Sequence, residues 1–149
     1  MSDSLENGRM IRTLNVIDDF NREALWIEID TSLPSERVTR VLEMIASWRG
    51  LPEQIRMDNG PELISKRMAE WADSKGVTLA YIEPGKPAQN AYIERFNRTY
   101  REDILDAYLF KSLQEVREIT EQWIEEYNGF RPHEALGGIP PYYFNPNQP

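Results

Sequence analysis

Two carboxylates stand out by their surroundings and their spacing. Asp58, in Arg56-Met57-Asp58-Asn59-Gly60-Pro61-Glu62, ends a short apolar run. Glu94, in Gln89-Asn90-Ala91-Tyr92-Ile93-Glu94-Arg95-Phe96-Asn97-Arg98, lies inside a helical pattern, with 35 residues between the two acids. A carboxylate at a strand end and one on a helix converge only if the intervening chain packs back on the sheet. Residues 59–89 suit that, reading as one helix, one strand and one Gly/Pro loop. Convergent carboxylates are the hard oxygen ligands that Mg2+ or Mn2+ prefers. Two such ions about 4 Å apart can activate an attacking oxygen and stabilise a leaving one in phosphoryl transfer.

The residues around the acids fit a phosphate-bearing partner. At helical spacing Asn90, Glu94, Asn97, Arg98 and Arg101 form a polar stripe, opposite Ile93, Phe96, Tyr100 and Ile104. Glu94 therefore faces away from the core. Residues 86–101 hold Lys86, Arg95, Arg98 and Arg101 against Glu94, a local +3 on a chain of net charge −8. A basic strip beside a metal site is where a phosphate backbone would lie, and Arg98, one turn from Glu94, is a candidate phosphate contact. The loop Pro84-Gly85-Lys86-Pro87-Ala88-Gln89-Asn90 reads equally well as a rigid connector or as a mobile cover. In the second case Lys86 would meet a phosphate and Gln89 or Asn90 would stand near the scissile nucleotide. Taken alone, Asp-Asn-Gly at 58–60 is a turn capped by Asp58, and Glu94 is one acid on a solvated helix face.

The elements that must position these groups follow from periodicity and turn chemistry. Asn7-Gly8 is a hairpin signal, since both residues tolerate positive φ. Strands are expected over Met10 to Phe20 and Ala24 to Ile29, with a turn at Asp19–Glu23. Only six residues precede Asn7, so the hairpin partner is expected to be a truncated first strand. A helix from Ser35, its N-cap, to about Arg49 places Val38, Val41, Leu42, Ile45 and Trp48 inward. A strand at Gln54 to Asp58 leads into a helix over Pro61 to Lys75, with Pro and Glu suited to its first turn and Leu63, Ile64, Met68, Trp71 and Ala72 inward. Val77 to Ile82 is the next strand. Gln89 to about Tyr108 and Ser112 to Tyr127 are the last two helices, the second burying Val116, Ile119, Trp123 and Tyr127. The prolines at 132, 140, 141, 146 and 149 make the tail irregular. The order suits an α/β domain, a mixed sheet with helices on both faces.

Composition narrows the alternatives. A chain of 149 residues supports one domain with a real core. It has no cysteine and one histidine, which excludes disulfides, cysteine-based zinc and multi-histidine metal sites. No apolar run spans a membrane and no signal-peptide pattern opens the chain, so a cytoplasmic protein with no membrane partner is expected. The net negative charge weighs against nucleic-acid binding by the whole surface. Its acids concentrate at 102–126, which reads as a solvated face. The four tryptophans, Trp26, Trp48, Trp71 and Trp123, fall at core-facing positions.

The motifs together resemble the integrase core of bacterial insertion-sequence transposases, allied to retroviral integrases. The resemblance rests on Asp-Asn-Gly-Pro-Glu at 58–62, Pro-Gly-Lys-Pro at 84–87, Gln89 through Glu102, and Tyr127-Asn128 followed after two residues by Arg131-Pro132-His133-Glu134-Ala135-Leu136-Gly137. It covers roughly residues 9 to 144. It implies a ribonuclease-H-like fold and an Asp, Asp, 35 residues, Glu triad, of which Asp58 and Glu94 are the last two. The resemblance makes them catalytic and metal-binding, with Mg2+ or Mn2+ as cofactor in a two-ion site when the triad is complete. The family's first Asp sits in a Trp, two residues, Asp-Phe context that these 149 residues lack. Asp18, Asp19 and Asp3 do not match it, so the chain alone is expected to show little strand transfer. A basic residue seven positions after the Glu contacts DNA in the family, and Arg101 stands there. The resemblance also favours DNA contact by Lys86, Gln89, Asn90 and Arg98. His133 is a pattern residue without an assigned role. The implied function is DNA transposition by metal-dependent phosphodiester cleavage and strand transfer. Partners would be element ends, target DNA and further copies of the chain, with no small-molecule cofactor. The rivals are a non-catalytic DNA-binding or assembly fragment and a related metal nuclease. Residues 1–130 would be the core and 131–149 an irregular Pro-rich tail.

Overall fold

The structure, a computed structural model, describes residues 1–58, 60–83, 85–130 and 136–141. His133 and most of the expected tail at 131–149 lie outside the described residues, as do Asn59 and Pro84. The chain runs β1 (Ser2–Ser4), β2 (Met10–Ile17), β3 (Ala24–Asp30), α1 (Ser35–Arg49), β4 (Gln54–Met57), α2 (Lys66–Lys75), β5 (Thr78–Tyr81), α3 (Ala91–Tyr100) and α4 (Leu113–Gly129). A 3₁₀ turn at Pro87–Asn90 precedes α3 and a π-helical turn at Arg101–Leu105 follows it.

The strands form two hydrogen-bonded ladders. β1, β2 and β3 pair antiparallel in that order, and β4 and β5 pair parallel. A parallel pair needs a crossover, which α2 supplies. Both components of the expected mixed sheet are thus present, with helices on both faces, as separate ladders rather than one. β1 covers only the start of β2, with Ser2 opposite Arg12 and Ser4 opposite Met10.

The Asn7-Gly8 turn forms, by a different route from a two-residue turn. Only Gly8 takes positive φ, at 84°. Leu5 C=O accepts from Gly8 N–H at 2.9 Å, and Asn7 Oδ1 accepts from Arg9 N–H at 2.9 Å.

Two apolar clusters hold the ladders. Ile11, Ile27 and Ile29 pack against Phe96 and Tyr100 of α3 and Val116, Trp123 and Tyr127 of α4. Val38 and Leu42 of α1 pack with Met57, Met68, Trp71 and Val77. Buried Asn128 joins α4 to the sheet, accepting from Ala24 N–H at 2.7 Å and donating to Ala24 C=O at 2.9 Å.

Several boundaries differ from the periodic expectation. Pro34, not Ser35, occupies the N-cap of α1 and offers no side-chain bond there. Trp48 is 53% exposed, because α1 buries nothing beyond Ile45. α2 begins at Lys66, where the Ser65 hydroxyl accepts from Met68 N–H at 3.1 Å. Residues 61–65 form turns instead, leaving Ile64 exposed. The strand expected to reach Phe20 stops at Ile17. The helix expected to run to Tyr108 passes through the π-helical turn, where Asp106 N–H donates to Arg101 C=O at 2.8 Å. That wider turn sets Ile104 and Leu105 both into the core. Among the described residues no helix is long and apolar enough to cross a membrane.

Candidate metal and nucleic-acid site

β4 is a four-residue strand whose last side chain, Met57, is buried. The next residue, Asp58, emerges exposed at the strand's carboxyl end, the position from which open α/β sheets present ligand-binding groups. Its Oδ1 accepts from Gly60 N–H at 3.0 Å. Gly60 leaves room for two acids at once. A β-carbon there would lie 3.1 Å from Glu62 Oε1 and 3.2 Å from Asp58 Oδ1. Glu62 is therefore not a first-turn residue of a helix. Because the chain turns at 61–65 before α2 starts, its half-buried carboxylate folds back towards Asp58. This neighbour was invisible to helical periodicity.

The second half of the site hangs on β5 and α3. Ile82 N–H donates to Met57 C=O at 3.0 Å, tying the ends of the parallel strands together, and Tyr81 OH donates to Leu63 C=O at 2.9 Å, tying β5 to the turn at 61–65. Beyond them Glu83 N–H donates to Gln89 Oε1 at 2.9 Å, and Lys86 Nζ pairs with Glu83 Oε2 at 2.9 Å. On α3 the apolar side is buried at Phe96 and Tyr100, so the polar stripe faces outward as its spacing requires.

A cleft of about 580 Å3 runs between these parts, and Asp58, Glu62, Asn15, Asn90 and Asn97 all line it. Asn15 Nδ2 donates to Asn97 Oδ1 at 2.7 Å, bracing β2 against α3. Asn15 has only a weak sequence signal, a polar residue among the apolar ones of a strand. Glu94 is exposed and stands one turn from both Asn90 and Asn97, and it is not among the residues that line the cleft.

The expected phosphate contacts separate in kind. Arg98 is exposed, and its side chain makes no hydrogen bond or ion pair among the described residues. Among the described residues, the Lys86 side chain is held by an exposed pair, an interaction of little worth. Arg101 is turned to β1, where its Nη2 donates to Ser2 C=O at 2.8 Å, with Asp3 at 3.7 Å and Asp106 at 3.5 Å. The Met1 ammonium lies within electrostatic reach of Asp58 and Glu62. Its pKa falls below the usual value through burial and then Arg12, against the upward pull of those two acids.

The donor set suits a hard cation. Mg2+ commonly takes one or two carboxylates and fills its remaining positions with water and substrate phosphate. Asp58 on an open cleft, with Glu62 beside it and Glu94 on the helix that lines the cleft through Asn97, offers that chemistry. No group of three acidic, histidine or cysteine ligands gathers among the described residues.

Residues 3–87 and residues 75–141 each match a family model described as integrase core domain. The chain is 42% identical over 145 residues to the uncharacterized 39.2 kDa protein of insertion element IS476 from Xanthomonas euvesicatoria, covering 97% of this chain and 42% of that protein. It is 42% identical over 142 residues to the uncharacterized 31.7 kDa protein of insertion element IS407 from Burkholderia multivorans, covering 95% of this chain and 51% of that protein. The chain thus spans about half the length of these curated relatives. In fold it is similar to the HTLV-2 integrase catalytic core domain solved in complex with magnesium. That likeness has a TM-score of 0.68 at 15% identity and covers 97% of this chain and 90% of that one.

Proposed function

This chain belongs to the integrase core domain family, and on that premise we propose that residues 1–130 act as the catalytic core of an insertion-element transposase. Its reaction would be cleavage and strand transfer of DNA phosphodiesters, with element ends and target DNA as substrates and further copies of the chain as partners. In a bacterial cell, these substrates would place its work in the cytoplasm. One observation carries the reading: Asp58 and the Asn90–Asn97 face of α3 line the same cleft, with Glu94 between the two asparagines along the helix.

Asp58 and Glu94 are the residues that would hold Mg2+ or Mn2+, in a two-ion site when a third carboxylate completes the set. Bound there, the cation supplies Lewis-acid activation of the attacking oxygen and neutralises charge on the leaving one. The chain's own groups bind and orient. Asn90, which lines the cleft, would offer its amide to an entering nucleotide, and Gln89 beside it would offer its amide nitrogen while its Oε1 accepts from Glu83 N–H. Arg98 and Lys86 offer charge to flanking phosphates, Lys86 after releasing its exposed pair with Glu83. Arg101 can add to them only by leaving the Ser2 carbonyl.

The test is a Mn2+ titration of the chain, with Asp58→Asn and Glu94→Gln alongside. Each substitution should weaken binding at least about tenfold and reduce any Mn2+-dependent DNA cleavage on the order of a thousandfold. Mn2+ binding unchanged in both variants would sink the reading. DNA binding with no Mn2+ binding at all would leave a non-catalytic DNA-binding unit instead.

A further inference from the structure

We infer that Arg22, seated on the ring of Tyr92, is a DNA phosphate contact at the mouth of the cleft; the inference rests on the function proposed above. Arg22 lies in the turn between β2 and β3, far in sequence from the acids. Its backbone has φ 65°, and it is the only non-glycine residue described with positive φ. A side chain that bears a β-carbon is rarely held in this conformation, and such positions gather at functional sites. Its guanidinium lies 3.6 Å from the centroid of Tyr92. Tyr92 lines the cleft and stands two residues before Glu94.

The charges around Arg22 are otherwise spoken for. Asp18 and Glu23 pair with Arg49 at 2.6 and 2.7 Å, and Asp19 pairs with Arg56 at 3.3 Å. Arg22 has no carboxylate partner among the described residues. Its side chain's one hydrogen bond there is from Nη1 to Phe20 C=O, at a long 3.4 Å, and its shielded Nε has no acceptor. Its cation therefore has no carboxylate bound to it among the described residues and rests over the ring. A stacked guanidinium keeps the donors on its edge, whose fork matches two phosphate oxygens. Lys86 and Arg101, by contrast, already have acidic neighbours. Arg22 and Arg98 would then grip phosphates from two separate elements, one from the β2–β3 turn and one from α3.

Fluorescence anisotropy with a DNA duplex, run across a salt series, tests this. Arg22→Gly removes the charge and accepts φ 65° without strain, so its melting temperature should be no lower. Its affinity should fall about tenfold, and the slope of log K against log salt should shrink by about 1. Arg22→Lys should keep the slope and lose a few-fold in affinity. If Arg22→Gly leaves affinity and slope unchanged while Arg98→Ala reduces both, Arg22 is no DNA contact. A lower melting temperature with an unchanged slope would make the stack a structural clasp and also overturn the proposal. Absence of salt-sensitive DNA binding by the parent chain overturns the function proposed above, and this contact with it.

Discussion

Asp58 and Glu94 are held by opposite means. Glu94 rides on a helix whose inner face is locked by aromatic packing. The Phe96 ring lies 5.6 Å from Trp123 and 5.2 Å from Tyr127, both edge-on, and Tyr100 OH meets Thr120 Oγ1 at 2.7 Å inside the core. Asp58 follows a four-residue strand and, among the described residues, is oriented by a hydrogen bond from Gly60. The helix carboxylate takes its direction from the core, and the strand-end carboxylate takes its direction from a turn. A site at a seam between two apolar clusters can therefore be damaged in two separable ways. One is to loosen the core and lose both acids; the other is to disturb the turn and lose the geometry of one.

The largest expected effect is on the packed side. Trp123→Ala removes the ring that contacts Phe96, Tyr100 and Tyr127 and should cost about 3–5 kcal/mol in chemical denaturation. Mn2+ binding should disappear together with the folded state. A loss under about 1 kcal/mol would show that α3 is not held by this cluster.

A smaller effect distinguishes the two serines at helix starts. Ser65→Ala deletes the hydroxyl that accepts from Met68 N–H and should cost about 1 kcal/mol, since α2 loses its cap. Ser35→Ala should stay within about 0.5 kcal/mol, because no capping bond is made at the start of α1. Equal losses in paired thermal melts would contradict the caps as they stand.

The smallest change in stability falls on the turn. Gly60→Ala introduces a methyl group 3.1 Å from Glu62 Oε1 and 3.2 Å from Asp58 Oδ1. Both carboxylate ends can swing away, so stability should move by less than about 0.5 kcal/mol. Mn2+ affinity, read by calorimetry, should fall about tenfold because the ligand's support has shifted. Unchanged affinity would mean that the Gly60 turn does not orient Asp58.

Legibility followed the range of the interactions. Periodicity and turn residues located the five helix and strand elements from α1 to α3 and the Asn7-Gly8 hairpin, because those signals act within a few residues. They failed at Trp48 and Ile64, where helical spacing continues but the packing partner has ended or the helix has not begun. For the site, the Asn90–Glu94–Asn97 stripe was readable because Phe96 and Tyr100 commit the opposite face of α3 to the core.

The amino-acid sequence by itself determined the two acids, their 35-residue separation, the strand end and helix that carry them, and the family pattern they belong to. Only the tertiary structure decided which neighbours they meet. It brings Glu62 back towards Asp58, braces Asn97 with Asn15, ties Arg101 to the Ser2 carbonyl and lays Arg22 on Tyr92. The last three are directional contacts between residues far apart in the chain, and the first depends on where a turn ends. Local propensity cannot select them, because their partners come into reach only after the two apolar clusters have packed.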